Sequence, residues 1–416
     1  MKLSFKFKPT INHKNLNIIR TLSFHTSKLY NIVNYSIHNG ENKPVYSKLD
    51  KKFRANWHCD YLHSHNRQHC LKMLAQNWKS YFRSLNDYKN NPSKYNAMPK
   101  PPQYKYLDSN PNEIIFTNYA IRIKNGNLLL SLSKKMKSDY KVDNLKFELS
   151  DKVQSFIIIN MDSIQQVKIK RESVSNRWYL IVVYKKECKN NEGDNVMSID
   201  PGLDNLAAIT FKDNDENYLI NGKPLKSKNS YYNKEIARLS SIRMKQVGSK
   251  KFKNTNKIKS LRVDRRNYVL DYLHKASRKV INIALNNNVG TIVIGDIKNI
   301  KQNSTIKSFV QIPIQRFVNM IEYKAELEGI NVVRLNEAYT SGCSAVELET
   351  LNKSNYNISR RITRGLFKNK KTTINSDING SLNILRKYLK DKCISELVKR
   401  ARDNGVVYPP KRISVA

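Results

Sequence analysis

Acidic residues are scarce in this chain of 416 residues. It carries 34 Asp and Glu against 75 Lys and Arg, which leaves a formal net charge of +41. A compact protein with such an excess repels itself unless a polyanion neutralises the charge. The composition therefore predicts a nucleic acid as the partner, and a long one.

Long apolar runs are absent as well. A bilayer-spanning helix takes about 18–20 consecutive apolar residues, and no run of this sequence approaches that length. Residues 1–8 alternate apolar and basic side chains as a strand does, and they lack the apolar centre of a secretory signal. We therefore expect no membrane partner and a cytoplasmic protein.

Cysteine is rare and dispersed, and no two cysteines form a CxxC pair. The five are Cys59, Cys70, Cys188, Cys343 and Cys393. Their scatter favours a reducing compartment and leaves zinc without a plausible site. Histidines are crowded between positions 58 and 69, but no HExxH glutamate lies between His65 and His69. An interfacial helix face is therefore favoured there over a metal site.

Proline-rich and polar stretches divide the chain into predicted domains. Residues 11–105 have a helical pattern, whereas residues 106–192 are rich in strands. The opening strand has no partner nearer than this second region. We therefore predict a β-barrel-like domain made of residues 1–10 and 106–192, with the helical domain inserted. Residues 193–392 form the next predicted domain, and residues 393–416 form a basic tail.

Around Asp200 the sequence indicates a strand, a tight turn and a returning strand. Asp200 closes the first strand directly before Pro201 and Gly202. A carboxylate held rigidly at a strand end, with its oxygens toward solvent, suits a divalent metal ion. Asp before Pro-Gly is also common turn chemistry, with Asp204 and Asn205 as turn caps. This stretch alone leaves both interpretations open.

The elements of the third predicted domain follow the order βββ-α-β-α-β-α, with an antiparallel start and parallel later strands. This is the order of an RNase H-like α/β domain. Such a domain gathers carboxylates around one or two Mg²⁺ ions, which activate a water and stabilise the leaving oxygen of a phosphodiester. Asp377, in the polar N-terminus of the last predicted helix, is a second candidate ligand beside Asp200.

Two basic stretches are the candidate nucleic-acid contacts. Nine basic residues stand against one acid from position 245 to 266, and residues 350–376 hold seven Lys or Arg and no acid. Such runs are commonly only solvated, but the net charge of the chain favours phosphate contacts. The predicted nucleic-acid-binding residues are Lys250, Lys251, Lys253, Arg262, Arg265, Arg266, Arg360, Arg361 and Arg364.

Three ordered motifs resemble those of the TnpB proteins of bacterial and archaeal insertion sequences, which are related to type V CRISPR effectors. The motifs are Ser198–Gly202, Tyr339–Ser341 and Asn375–Ile384. The resemblance implies an RNA-guided DNA endonuclease with a wedge domain, an inserted recognition domain and a RuvC-type nuclease domain. It also implies Mg²⁺ or Mn²⁺ as cofactor, and as partners a guide RNA from the transposon end and target DNA beside a short duplex motif. By this match Asp200 and Asp377 are the first and last catalytic acids.

The chain departs from this family at two places. Gly295 stands where the middle glutamate of the family usually ends a strand, and glycine cannot bind metal. The family's CxxC pairs before Asp377 are missing, and only Cys343 is left. The basic insert of residues 350–376 takes their place, and we expect it to grip phosphate without zinc.

Two acids could replace the missing glutamate. Asp296 is one residue further along, which turns its side chain to the opposite face of the strand. Glu337 follows the predicted neighbouring strand, whose end lies about 5 Å away, and a subset of the family carries a glutamate at this place. We therefore predict one Mg²⁺ site formed by Asp200, Glu337 and Asp377. The alternatives are a nuclease-dead RNA-guided DNA-binding regulator and a transposase acting directly on transposon ends.

Overall fold

The computed structural model describes residues 1–296, 311–363, 365–369, 372–390 and 410–415. The chain divides into two compact units, residues 1–186 and residues 187–416. Arg364, Cys393 and most of the predicted tail lie outside the described residues. None of the described helices has the length and apolar character that crossing a membrane requires.

The first unit combines long helices with short strands. Its elements are β1 Lys2–Phe7, α1 His13–His38, α2 Tyr46–Phe53, α3 Ser64–Asn90, β2 Ile114–Thr117, β3 Ile121–Lys124, β4 Asn127–Ser131, α4 Lys134–Tyr140, β5 Asn144–Glu148, α5 Asp151–Ile159, β6 Ile164–Glu172 and β7 Arg177–Lys185. The helices α4 and α5 interrupt a region whose sequence predicts strands. Ser133 favours the first of them, because its side chain accepts a hydrogen bond from the Met136 N–H at 3.2 Å and caps the helix.

The strands of the first unit form two antiparallel sheets. One has the order β1-β7-β6-β2 and the other the order β3-β4-β5. In the first sheet β1 pairs with β7, with Phe5 opposite Val182, so the opening strand does join strands that follow the helical region. The barrel-like closure stays a prediction, since the hydrogen-bonded pairs group into two separate sheets.

The second unit begins with two antiparallel strands and continues with alternating helices and strands. Its elements are β8 Asn195–Asp200, β9 Asn205–Phe211, β10 Tyr218–Asn221, α6 Lys223–Val247, α7 Asn256–Asn286, β11 Val289–Asp296, α8 Ile314–Leu327, β12 Asn331–Asn336, β13 Arg361–Thr363, β14 Leu366–Lys368, β15 Thr373–Asn375, α9 Ser376–Leu389 and β16 Lys411–Ile413. The basic stretch from 245 to 266 joins the two long helices α6 and α7, and its first residues, 245–247, still belong to α6. Its second half, from Asn256 onward, lies in the helix α7.

The main sheet of this unit has the strand order β12-β11-β8-β9-β10-β16. The strands β8, β9 and β10 are successive antiparallel neighbours, whereas β11 runs parallel to β8 and β12 runs parallel to β11. Parallel strands end at the same edge of a sheet. The ends of β8, β11 and β12, at Asp200, Asp296 and Asn336, therefore lie along one edge.

Successive residues of β8 face opposite layers. Met197 and Ile199 belong to the core that includes residues of α7 and α8. Val196 belongs to the cluster that includes Ile384 of α9. Because side chains alternate along a strand, Asp200 shares the face of Val196 and points to the α9 layer.

The same alternation shows which face of the sheet the side chains at the ends of β11 and β12 belong to. Val293 of β11 lies in the cluster with α9, and Leu335 of β12 packs against that cluster. Gly295 and Glu337 each come two residues later, so both belong to the α9 face. Asp296 comes one residue after Gly295 and takes the opposite face of the strand, as its position in the sequence predicts.

Candidate metal centre

Asp200 lies where the strand β8 meets the helix α9 at close range. Ser198, two residues earlier, hydrogen-bonds through its Oγ to the Ser381 carbonyl at 2.8 Å, which fastens the strand to the helix. A Cβ added at Gly380 would lie inside van der Waals contact of Asp200 Oδ2. Only glycine lets the helix backbone come this close to the carboxylate.

Asp377 is held at the start of α9. The Asn375 side chain caps the helix by accepting hydrogen bonds from the N–H groups of Asp377, at 3.0 Å, and Ile378, at 3.2 Å. The Asp377 carboxylate itself accepts a hydrogen bond from Asn205 Nδ2 at 2.7 Å and pairs with Arg361 Nη2 at 3.4 Å. A residue of β9 therefore holds Oδ2, and a residue of β13 holds Oδ1.

Glu337 comes directly after β12, and its carboxylate fills the space that the missing side chain of Gly295 leaves open. A Cβ at Gly295 would lie inside van der Waals contact of Glu337 Oε1. This oxygen is buried and has no hydrogen-bond partner among the residues that the structure describes. A buried carboxylate oxygen without a donor is costly, and a bound cation is one way to satisfy it.

Burial and like charge perturb the acids of this site. Burial, followed by the charges of Glu337 and Asp377, raises the pKa of Asp200 well above its usual value, while Arg361 opposes the shift. Burial, followed by the charge of Asp296, raises the pKa of Glu337 to about 7. Both shifts disfavour the charged carboxylates, and a divalent cation would reverse that preference.

The donor set fits a hard divalent cation such as Mg²⁺ or Mn²⁺. Carboxylate oxygens are its preferred ligands, and Glu337 Oε1 has no other described partner. As the side chains stand, no three His, Cys, Asp or Glu of the described ranges are grouped closely enough to hold a metal ion. The Asp377 carboxylate instead contacts Asn205 and Arg361.

The raised pKa of Glu337 predicts an unusual pH dependence of stability. The pKa of this carboxyl group is about 7 in the folded protein, against an ordinary value of 4.5 that it regains on unfolding. The charged group therefore lowers the stability of the fold, and this penalty is fully present above pH 7. This penalty is relieved as the pH falls through that window. In chelator, Glu337→Gln is therefore expected to be more stable than the unchanged protein at pH 8, and the difference should shrink by pH 5.

Chemical unfolding in urea at the two pH values measures this difference. Glu187→Gln is the matched control, because Glu187 is exposed and its carboxylate stays solvated. A stability gain in Glu337→Gln that is equal at pH 8 and pH 5 would contradict the perturbed carboxyl group.

Some of the predicted nucleic-acid-binding residues of the first basic stretch are exposed, whereas others bind within the protein. Lys250, Lys251 and Lys253 are exposed in the loop between α6 and α7, and Arg262 is exposed on α7. Arg265 is turned inward instead. Its Nε donates to the Asn229 side chain at 2.7 Å and its Nη2 to the Gln311 carbonyl at 2.9 Å. Partly buried Arg266 donates to the Asn267 side chain at 3.3 Å.

Arg360 is engaged as well. Its Nη1 lies 2.8 and 2.7 Å from the two carboxylate oxygens of Glu349. Arg265 and Arg360 thus have partners within the unit, and their contact with nucleic acid stays a prediction. A run of basic residues does not reveal which of its members find a partner within the protein.

Two residues at the site have roles that the sequence did not indicate. Arg361 was predicted only as a phosphate contact, but it lies against Asp377. Asn205 was predicted as a turn cap, but its side chain reaches across to the same carboxylate. The one signal in the sequence was that Asn205 begins the strand that returns from Asp200.

The chain matches two family models. Residues 179–301 match the OrfB_IS605 model, described as a probable transposase. Residues 315–384 match the model of the Cas12f1-like TNB domain. Together the two matches include the three motifs and also the candidate acids Asp200, Glu337 and Asp377, and they confirm the resemblance predicted from those motifs.

A curated relative and a solved structure extend this similarity. The CRISPR-associated endodeoxyribonuclease Cas12f1 of Sulfoacidibacillus thermotolerans is 25% identical over 312 residues, which are 70% of this chain and 71% of that protein. A cryo-EM structure of a Cas12f1-sgRNA-target DNA complex aligns with a TM-score of 0.51 at 15% identity, over 90% of this chain and 83% of that chain. The structural alignment shows a shared mixed α/β fold.

Proposed function

We propose that the protein is an RNA-guided, divalent-metal-dependent DNA endonuclease encoded by an insertion sequence. Its second unit is a RuvC-type nuclease domain of the RNase H-like fold, a proposal supported by the strand order β12-β11-β8-β9-β10. The observation that carries the function is the placement of three acids around one sheet edge. Asp200 lies against Gly380 of α9, the helix that begins beside Asp377, and Glu337 fills the gap at Gly295 of the neighbouring strand β11. The similarity to an endodeoxyribonuclease supports DNA as the substrate.

In this proposal Asp200, Glu337 and Asp377 hold Mg²⁺ or Mn²⁺. The bound ion would activate a water and stabilise the leaving oxygen of a phosphodiester. Binding of the ion would favour the charged form of Glu337 and release its proton to solvent, since a pKa of about 7 leaves this group partly protonated near neutrality. The Arg361 side chain is 31% exposed beside Asp377, and in this proposal it donates to a phosphate oxygen there.

The proposed partners are a guide RNA from the transposon end and target DNA beside a short duplex motif. The solved Cas12f1-sgRNA-target DNA complex supports this pair of partners. The net charge of +41 supports a long polyanion in general. In the first unit we propose that residues 1–10 and 106–192 act as the wedge domain and residues 11–105 as the recognition domain.

Copurification followed by a cleavage assay tests the function. The protein, expressed with a transcript of its transposon end, is expected to retain a discrete RNA and to cut a duplex that matches the guide. Cleavage should require Mg²⁺ or Mn²⁺ and stop with chelator, and a duplex with a scrambled target should remain intact. Sequencing of the bound RNA and denaturing gels measure both parts.

Each other outcome assigns a different function. A discrete RNA with tight target binding but no cleavage would make the protein a guided regulator. Joined strands instead of hydrolysed ones would make it a transposase. Absence of a discrete RNA would contradict the guided function and leave the nuclease site to be tested on unguided DNA.

A further inference from the structure

The segment that carries Glu337 has no regular secondary structure of its own. Residues 337–349 form only turns and bends, and Tyr339 adopts a positive φ of 70°. Within the segment, Thr340 donates hydrogen bonds to the Glu337 carbonyl from its N–H at 3.1 Å and from its Oγ1 at 2.8 Å. The position of Glu337 therefore depends on what holds Thr340 and the residues after it.

The helix α9 holds this segment through a buried polar face. Asn379 and Asn383 are one turn apart, and both side chains are fully buried. Asn383 Nδ2 donates to the carbonyls of Thr340 and Cys343, each at 2.9 Å. Asn379 donates to the same Cys343 carbonyl at 2.9 Å and accepts from the Ala345 N–H at 2.9 Å.

Arg386 continues this face further along the helix. It is only 2% exposed, an unusual degree of burial for a guanidinium group. Its Nη1 donates to Asn383 Oδ1 at 2.8 Å, and its Nη2 donates to the Glu349 carbonyl at 3.0 Å. The first bond orients the Asn383 amide so that its NH₂ group faces Thr340. The second fixes the far end of the segment.

These contacts join two of the sequence motifs. Thr340 is the centre of Tyr339–Ser341, and Asn383 lies in the motif that begins with Asn375. The same helix carries Asp377 in its first turn. A continuous chain of hydrogen bonds thus runs from the backbone of Glu337 through Thr340 to the helix of Asp377.

We propose that Asn379, Asn383 and Arg386 form a clamp that positions Glu337 relative to Asp377. The clamp touches neither metal nor substrate, so its three members are positioning residues. This role rests on the proposed function, in which the two carboxylates share a metal ion. The clamp also explains how residues 340–349 keep a defined conformation around Cys343 without a CxxC pair.

Hydrogen–deuterium exchange and Mn²⁺ titration of the full-length protein test the proposal. In Asn383→Ala, the amides of residues 338–345 are expected to exchange at least about tenfold faster, because their anchors on α9 are lost. The affinity for Mn²⁺, measured by electron paramagnetic resonance, should fall by about 10–100-fold, as expected for residues that orient ligands. Raising the Mn²⁺ concentration should restore part of the lost kcat for guided cleavage.

Arg386→Lys is the second variant, in case Asn383→Ala folds poorly. It keeps the positive charge but loses the two donors of the guanidinium group. The amide exchange of residues 338–345 and the Mn²⁺ affinity should therefore change in the same direction, but by less. Asn34→Ala is the matched control. Asn34 is fully buried in the first unit, donates to the Pro102 carbonyl at 2.9 Å and accepts from Trp78 Nε1 at 2.8 Å. Its loss should leave the exchange of residues 338–345 and the Mn²⁺ affinity unchanged.

Each result assigns or overturns one step. Unchanged exchange in Asn383→Ala and Arg386→Lys would overturn the clamp. Faster exchange with unchanged Mn²⁺ affinity would overturn the positioning role and leave a structural one. If the unchanged protein binds no Mn²⁺ at all, the proposed metal site fails and the positioning role fails with it. The exchange data still decide whether the clamp holds the segment.

Discussion

Glu337→Gln is expected to reduce guided DNA cleavage at least about 100-fold, since even residues that only orient metal ligands contribute about 10–100-fold. The substitution keeps the size of the side chain and removes the negative charge that a divalent cation requires. Affinity for guide RNA and target should stay the same, because Glu337 is not part of the basic surface. Single-turnover cleavage together with filter binding of the target measures the two effects separately.

Asp296→Asn is the matched control for this substitution. Asp296 ends the adjacent strand and is close enough to raise the pKa of Glu337, but it belongs to the opposite face of β11. We expect the variant to retain at least about a tenth of the cleavage rate, since it keeps all three proposed ligands. Unimpaired cleavage by Glu337→Gln, or an equal loss in Asp296→Asn, would show that Glu337 is not the middle acid.

Gly295→Ala is expected to lower cleavage by about 100-fold while the protein folds and binds its target normally, since a displacement of about 1 Å at a reacting centre can have this effect. The added Cβ would meet Glu337 Oε1, Cδ and Cγ, which all belong to one flexible side chain. The collision can be relieved by moving that carboxylate, so the fold survives and the proposed ligand is displaced. Thermal unfolding measures whether the fold is kept, and cleavage rates measure whether activity is lost.

Gly365→Ala is the control, because a Cβ at Gly365 would meet no atom of the described residues within 4 Å. The double variant Gly295→Glu with Glu337→Ala moves the carboxylate back to the place where the resembling family usually has it. It is expected to recover part of the activity that Gly295→Ala loses. Full activity in Gly295→Ala would show that the carboxylate of Glu337 need not occupy this space.

Much of the site was predictable from local patterns. The apolar run before Asp200 and the break at Pro201 predict a strand that ends in a carboxylate, and β8 ends at Asp200. The polar cap and early acid predict a helix that begins near Asp377, and α9 begins at Ser376. Such patterns succeed because a strand end and a helix cap depend on residues that are neighbours in the chain.

The contacts between distant residues were not predictable in this way. The sequence assigned Arg360 and Arg265 to nucleic acid because both lie in basic runs. Their partners, Glu349 and Asn229, were decided by the packing of loops and helices. The fully buried Asn379 and Asn383 likewise resembled ordinary polar helix residues until their face was seen against residues 340–349.

The identity of the middle acid shows what the sequence decided and what the tertiary structure decided. By itself the sequence determined that Gly295 could not be a ligand and that Asp296 and Glu337 were the remaining candidates, because side-chain chemistry and strand alternation are properties of the chain alone. Only the tertiary structure decided that the carboxylate of Glu337 fills the gap at Gly295. That contact depends on the pairing of β11 with β12, in which Asp296 lies opposite Asn336, and on the turn that α9 holds in place.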